Sequence, residues 1–472
     1  MTQLCSVIAD LISFLGSMRA ALTEHSFTGI EYLYGVGCIF QLNSMNTKQL
    51  VVISVVVLVI VAGVGVFFLL GDGNDHYRSK DTTGRLMIHG NANNDDYLDK
   101  EDIDTLQSII DEGFWGKEKY PFADANQDGV IDQKDIDMVR KMINHESMTV
   151  FFNDGSGNLQ SIKYPIGNVV AYGVVDVYIA LLCIGGIDRV VGVAPTYSND
   201  PVLFGEMAYK PKISSAATTI QIELFSELTK SVKVDAIISS GHDSVVNPQF
   251  SEAGYQILGF GLGMSDGRIY SCGLLTLGYL MNLEEPSQKF VRFADSILDT
   301  IEEKTGSLSD SERVTILAAL NGGGLNVSGP GHVDSNVAVG AGGKNLADWG
   351  AFVKPFIKGD EWIYNYNPQV ITVRQALGYG ELNMQTIWDN NCKPFSGMNA
   401  YGEGKVYYIN GTMPTCIRMA YMATAYYPDL FDADYGVKCH QQFIDDFVPH
   451  LSGKFDVTKD GVFFITSDMV NT

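Results

Sequence analysis

The chain has 472 residues, with 55 acidic against 32 basic side chains and a formal net charge of −23. That balance excludes a general nucleic-acid binder, which needs a basic surface to meet phosphates, and the length calls for two or three folded units. Hydrophobic residues make up 46% and charged ones only 18%, so a sizeable core can be buried and wholesale disorder is excluded. The seven cysteines form no C-x-x-C pair, which removes zinc-ribbon and thioredoxin-type chemistry.

Residues 50–70 carry no charge and are dominated by Val, Ile, Leu and Phe. At 1.5 Å per residue such a helix matches the hydrocarbon thickness of a bilayer, and it exceeds the apolar stretch of about 7–15 residues in a cleavable signal. Residues 49–70 are therefore expected to be a single uncleaved transmembrane anchor. Residues 1–44 form an extension of no assignable role, with Met45 as an alternative start, and 71–87 read as a polar linker. The basic residues near the span, Lys48 before it and Arg78, Lys80 and Arg85 after it, favour a cytoplasmic C-terminal part. Long domains, however, cross largely regardless of charge, and the loops that follow suit an ion abundant outside the cell. An extracellular placement on the cell membrane is expected.

Two oxygen-rich loops follow, 33 residues apart. The first offers Asn91, Asn93, Asp95, Tyr97, Asp99 and Asp102, the second Asp124, Asn126, Asp128, Val130, Asp132 and Asp135. Oxygen side chains at positions 1, 3, 5 and 12, a backbone carbonyl at 7 and a water-holding Asp at 9 match the shell of a hard Ca²⁺ ion. Leu98 and Ile131 at position 8 pin each loop to a core. Each loop runs into an amphipathic helix, Ile103, Leu106 and Ile110 marking the first and Ile136, Val139 and Ile143 the second. Residues 89–146 hold 15 acidic and 6 basic residues, so a large share of the negative charge sits in this small unit.

The duplicated loop-then-helix pattern, with Asp at position 12 and no entering helices, resembles the type I dockerin module over residues 88–146. The resemblance implies two Ca²⁺ sites and a cohesin-type partner met through Lys100, Glu101, Gln133 and Lys134. The first loop departs from the pattern at Asn91 and at Asp96, which stands where Gly129 serves a left-handed turn, so it is expected to be the weaker site.

From residue 149 onward, short β-branched runs alternate with helical stretches: 169–172, 190–193, 236–239, 256–259, 314–318, 370–373 and 406–409. This alternation predicts an α/β fold with parallel strands. Phe290, Phe293, Ile297 and Ile301 share one face of a long amphipathic helix between the two sets. Glu227 and Glu361 precede their strands at matched spacing, the mark of an internal repeat. The expected division is an N-lobe over about 149–285, a connecting helix over about 286–305 and a C-lobe over about 306–472.

The stretch Asp188-Arg-Val-Val-Gly-Val193 resembles a segment of the iron-chelate/vitamin B12 class of solute-binding proteins of ABC importers, the helical-backbone class III. Lys210-Pro-Lys-Ile213, Lys233-Val-Asp235, Asn367-Pro-Gln369, Gly342-Gly-Lys-Asn345 and the run from Gly402 to Ile409 resemble others, in order, over about 165–435. The resemblance implies a two-lobed periplasmic-binding-protein fold joined by a long helix, preceded here by the transmembrane helix and the small all-α dockerin. It also implies an ABC permease dimer as partner, docked through Glu227 and Glu361, and a metal-chelate ligand such as a ferric siderophore, haem or cobalamin.

Ligands of two-lobed α/β binders sit in the crevice at the carboxyl ends of the strands. That geometry selects Tyr172, Tyr197, Ser214, Ser215, His242 and Asp243 from the N-lobe, with Asn321, His332, Arg374 and Tyr379 from the C-lobe. Tyr and His can stack on a macrocycle or reach its metal, and Arg can fork onto an anionic group. The chain carries no nucleophile elbow, H-E-x-x-H motif or phosphate-binding Gly-Lys-Ser/Thr, so binding rather than bond breaking is expected. Cys392, Cys416 and Cys439 can supply one disulfide outside the cell. The competing reading is a cell-surface assembly component in which the dockerin interaction is the function and the binding-protein fold is a spacer.

Overall fold

Short Val- and Ile-rich runs buried on both faces favour parallel strands covered by helices, and the chain builds two such sheets. The computed structural model describes residues 85–113, 115–195, 200–214, 221–240, 254–262, 267–320, 326–329, 332–346, 356–358, 363 and 367–470. All belong to one unit, His76–Asp348 with Phe356–Thr472; the second unit, Met1–Asp75 with Trp349–Pro355, lies outside them. The extension 1–44 and the expected anchor at 49–70 fall there too. Among the described residues no helix is long and apolar enough to cross a membrane.

After the first two helices, α1 (Lys100–Glu112) and α2 (Gln133–Ile143), comes a hairpin of β1 (Met148–Asn153) and β2 (Leu159–Tyr164). The N-lobe sheet then takes β3 (Val169–Ala171), β4 (Val190–Val193), β5 (Ala236–Ser239) and β6 (Ile257–Gly259), in the spatial order β4-β3-β5-β6 and all parallel. Helix α3 (Val175–Cys183), every residue of it buried, covers the sheet with α4 (Ile222–Thr229) and α5 (Gly267–Leu280).

The connecting helix α6 (Glu284–Thr305) buries Phe290, Phe293, Ala294, Ile297 and Ile301 along one stripe, as the apolar spacing predicts. The C-lobe follows with β7 (Thr315–Leu320), β8 (Asn326–Ser328), α7 (Val333–Gly340), β9 (Lys344–Asn345), β10 (Phe356–Lys358) and β11 (Val370–Gln375). It continues with α8 (Met384–Asn391), β12 (Val406–Asn410), α9 (Thr415–Tyr426), α10 (Tyr435–Phe447) and β13 (Phe464–Ile465). Among its strands β9, β7, β11 and β12 are mutually parallel in that order, while β8, β10 and β13 pair antiparallel at the flanks. In both lobes the first parallel strand lies between the second and the third. The repeat is thus one of topology. Phe290 and Phe293 of α6 close the C-lobe side by edge and tilted contacts with Phe443 and Phe447 of α10.

The two-loop unit folds as a duplicated loop and helix. Asp99 and Asp132 cap α1 and α2, each in a reciprocal capping box with Asp102 or Asp135. Leu106, Ile109, Ile136 and Val139 pack between the helices. The unit is joined to the N-lobe over a broad contact. Ile88 bridges to Phe152 of β1, with His89 N–H donating to Phe151 O and Asn153 N–H to Met87 O.

The first loop differs from the expected geometry. Asn94 and Gln127 at position 4 both take positive φ, but at position 6 only Gly129 does so; Asp96 does not. Its carboxylate turns instead onto Arg85, 2.6 Å from Nη2, and the same guanidinium reaches Asp295 of α6 at 2.9 Å. The first loop therefore does not repeat the left-handed turn that Gly129 makes in the second.

Candidate functional site

The carboxyl ends of the parallel strands bring charged side chains of the two lobes together. On the N-lobe side, Tyr172 follows β3 and Gly173 takes φ of +115°, with a hypothetical Cβ only 3.0 Å from Ser240 Oγ beyond β5. The chain must therefore turn closely past the neighbouring strand to start α3, and it places Asp176 in the first turn of that helix. Asp176 is buried. Burial raises its carboxyl pKa, while Arg418 and Arg374 from the C-lobe pull it back and Asp334 pushes it up.

The C-lobe side is built from the starts of α7 and α9 and the end of β11. Asp334, 2% exposed, accepts from Arg418 Nη1 at 2.9 Å on Oδ1, and Arg374 Nε stands 3.6 Å from the same oxygen. Arg418 is fully buried in an otherwise uncharged helix, its Nη2 donating to Thr415 Oγ1. Within this cluster Asp334 Oδ2 and Arg418 Nε are buried without a hydrogen-bond partner. His332 Nδ1 accepts the Asp334 backbone N–H at 3.2 Å and caps α7, and burial lowers the imidazole pKa. Tyr270 of α5 lies beside the cluster, its hydroxyl pushed up by burial and further by Cys183 and Asp176. Two carboxylates, two guanidiniums, a neutral imidazole and a phenol thus lie within electrostatic reach of one another between the lobes.

Of the residues selected from the sequence, His332 and Arg374 join this cluster. Tyr172 and Ser214 are buried, Tyr172 within the N-lobe core against Ala194, Ile213 and Phe225. Tyr379 is displaced from its expected place on an open cleft. It is fully buried, its hydroxyl 2.9 Å from His440 Nε2 and its ring against Phe463. Its backbone N–H reaches across to the N-lobe, donating to Asp200 Oδ2 at 2.7 Å. Tyr197, Ser215, His242, Asp243 and Asn321 lie outside the described residues, as does Glu361. Glu227 is exposed on α4 and paired with Lys230. No disulfide forms among the cysteines described: Cys392, Cys416 and Cys439 are free.

Sequence reasoning missed Asp176, Tyr270, Asp334 and Arg418. Arg418 did carry a signal, a lone charge inside an otherwise uncharged helix, because such a charge must find a partner when buried.

In the second oxygen-rich loop Asp124 and Asp135 are buried, and burial raises the Asp135 carboxyl pKa. Backbone N–H groups of Asp128 and Gly129 donate to the two Asp124 oxygens, while Lys134 bridges Asp128 and Asp132. Among the described residues no three His, Cys, Asp or Glu side chains are gathered into a metal cluster. The donors of this loop are nonetheless all oxygens, two of the carboxylates being withdrawn from water, which suits a hard cation. The first loop suits it less well. Asn91 commits its amide to Leu86 O and Asp95 O, and Asn93 donates to the Asp95 carboxylate. Asp102 there is fully buried, and burial pushes its pKa to about 7.

No model of a known protein family matches the sequence, and no curated protein matches it. Solved structures do. A TroA-like periplasmic binding protein from Veillonella parvula aligns with a TM-score of 0.53 at 15% identity, over 67% of this chain and 99% of that one. An ABC transporter solute binding protein from Sulfurospirillum deleyianum gives 0.52 at 18% identity, over 66% and 98%. A periplasmic solute binding protein from V. parvula gives 0.51 at 17%, over 67% and 97%. Identities this low carry a likeness of fold, and the two lobes described above have the fold of two-lobed periplasmic binding proteins.

Proposed function

We propose that the chain is the solute-binding component of an ABC importer and takes an anionic metal chelate between its lobes. The observation that carries this reading is the convergence of Arg374 and Arg418 from the C-lobe with Asp176 from the N-lobe at the strand ends. Arg418 keeps Nε buried and unpaired there, and a guanidinium in that state favours an incoming carboxylate, catecholate or propionate oxygen. A ferric siderophore, haem or cobalamin offers such groups around a bound metal. The structural relatives named as solute-binding proteins support the reading through their shared fold.

The two-loop unit adds Ca²⁺ binding, stronger in the second loop, and a cohesin-type partner on the exposed Lys100, Glu101, Gln133 and Lys134. Residues 49–70 anchor the chain, with both folded parts outside the cell. Permease docking falls to Glu227 and Glu361.

The test is titration of the full-length chain with haem, cobalamin and ferric siderophores, followed by intrinsic fluorescence. Saturable quenching at micromolar ligand is expected from at least one of them. A flat response to all three classes would overturn the reading and favour a cell-surface assembly component whose lobes are a spacer.

A further inference from the structure

A chain of contacts joins the second oxygen-rich loop to the N-lobe sheet and α5. Gln127, inside that loop, donates through its side-chain amide to Asp124 O and to His89 Nδ1. With Nδ1 accepting, the neutral imidazole carries its proton on Nε2 and donates it to Asn153 Oδ1 at 3.1 Å. Asn153 ends β1, and the hairpin tip beyond it is pressed onto the N-lobe sheet. Gly155 N–H donates to Gly259 O at the end of β6, and a Cβ on Gly155 would lie 2.3 Å from Gly261 N. Phe152 stacks on Phe260 at 5.8 Å. The Phe260 carbonyl in turn abuts Gly273 of α5, where a Cβ would lie 2.0 Å away. Helix α5 carries Tyr270 to the charged cluster between the lobes.

We infer that an ion held in the second loop stiffens one wall of the ligand crevice, through the relay Gln127, His89, Asn153 and the β1–β2 hairpin to Phe260, Gly261 and α5. The inference rests on the proposed reading of that loop as a Ca²⁺ site. Each contact in the series is close-packed or hydrogen-bonded, so fixing Gln127 restricts His89, and fixing the hairpin restricts Phe260 and Gly261, which abut α5. Two sites joined in this way share a coupling free energy, and rigidity gained at one lowers the ordering cost at the other.

Two measurements on the full-length chain test it. Isothermal titration with CaCl₂ reads ion binding, and amide hydrogen exchange with and without Ca²⁺ reads rigidity along the relay. The expected result is binding, together with exchange slowed about tenfold over Phe260, Gly261 and the first turns of α5. In His89→Ala, Ca²⁺ still binds and still protects α2, but the protection at α5 disappears. Binding with protection confined to the loop unit in the wild type would overturn the coupling alone. An absence of binding would overturn the ion-site reading and the inference with it. Should His89→Ala fail to fold, Asn153→Ala interrupts the same relay one step further on.

Discussion

A guanidinium with no exposed surface is held in place by its partners or not at all. Arg418 meets Asp334 at 2.9 Å inside the molecule, and removing one member of such a pair strands the other in a low dielectric. Arg418→Met is therefore expected to cost about 3–5 kcal/mol of stability in urea unfolding. The double variant with Asp334→Asn should recover part of that loss, because the Asp334 carboxylate is then no longer stranded without Arg418; an equal or larger loss would mean that packing, and not charge, is at stake. His440 presents the opposite case, a titratable ring buried as the neutral form. It sits between the hydroxyls of Tyr379 and Tyr421 and against Phe463, and burial lowers its pKa to about 3. The folded state thus refuses a proton that the unfolded chain accepts below its usual pKa near 6.5. Stability from this group is whole above that value, falls as the pH drops from about 6.5 toward 3, and changes no further below, a loss on the order of 5 kcal/mol. His440→Gln keeps a hydrogen-bonding side chain beside Tyr379 but cannot be protonated. Its stability curve should be flatter than the wild type's across that window, and parallel curves would sink the assignment.

At the scale of the element, what decides legibility in sequence is whether the stabilising contact is local. The parallel strands were legible because burial on both faces demands unbroken Val and Ile, and α6 because its stripe recurs every three or four residues. The caps of α1 and α2 are local as well, Asp99 with Asp102 and Asp132 with Asp135. The hairpin β1–β2 was not foreseen. Its strands mix polar and apolar residues and are only partly buried, and its place depends on Gly155 meeting Gly261 far along the chain. Gly155→Ala offers the direct check, since a methyl group 2.3 Å from one backbone atom and 2.7 Å from another cannot be relieved by a side-chain rotation. A loss of about 1–3 kcal/mol is expected in urea unfolding; a neutral variant would mean that the hairpin tip is free to lift. The same distinction explains the site. Arg374 ends a strand that the sequence marks, whereas Asp334, the partner of Arg418, stands on a helix that the sequence leaves unmarked. Tyr379 looked like a cleft residue by its position after β11, and the aromatic box around His440 that buries it is assembled from α10 and the segment leading to β13.

For the molecule as a whole, the repeated strand order makes each lobe a copy of one plan, so a surface feature useful on one lobe has a counterpart on the other. Glu227 and Glu361 precede β5 and β11 by the same number of residues. Glu227 is exposed, with side-chain exposure of 72%, and its ion pair with Lys230 on the next turn is of the kind that contributes little to folding. Such a carboxylate can be reversed in sign without harm to the core, and it lies on a helix away from the charged cluster between the lobes. Rim charges of this kind govern encounter and register with a partner more than they govern fold. If a permease dimer reads one acid from each lobe, Glu227→Lys combined with Glu361→Lys should abolish uptake in cells while the purified variant binds its chelate with unchanged affinity. Each single variant should give an intermediate loss of uptake, because half of the docking surface remains. Uptake at the wild-type rate in the double variant would remove both residues from the interface, and a fall in chelate affinity alongside would place the defect in the lobes themselves.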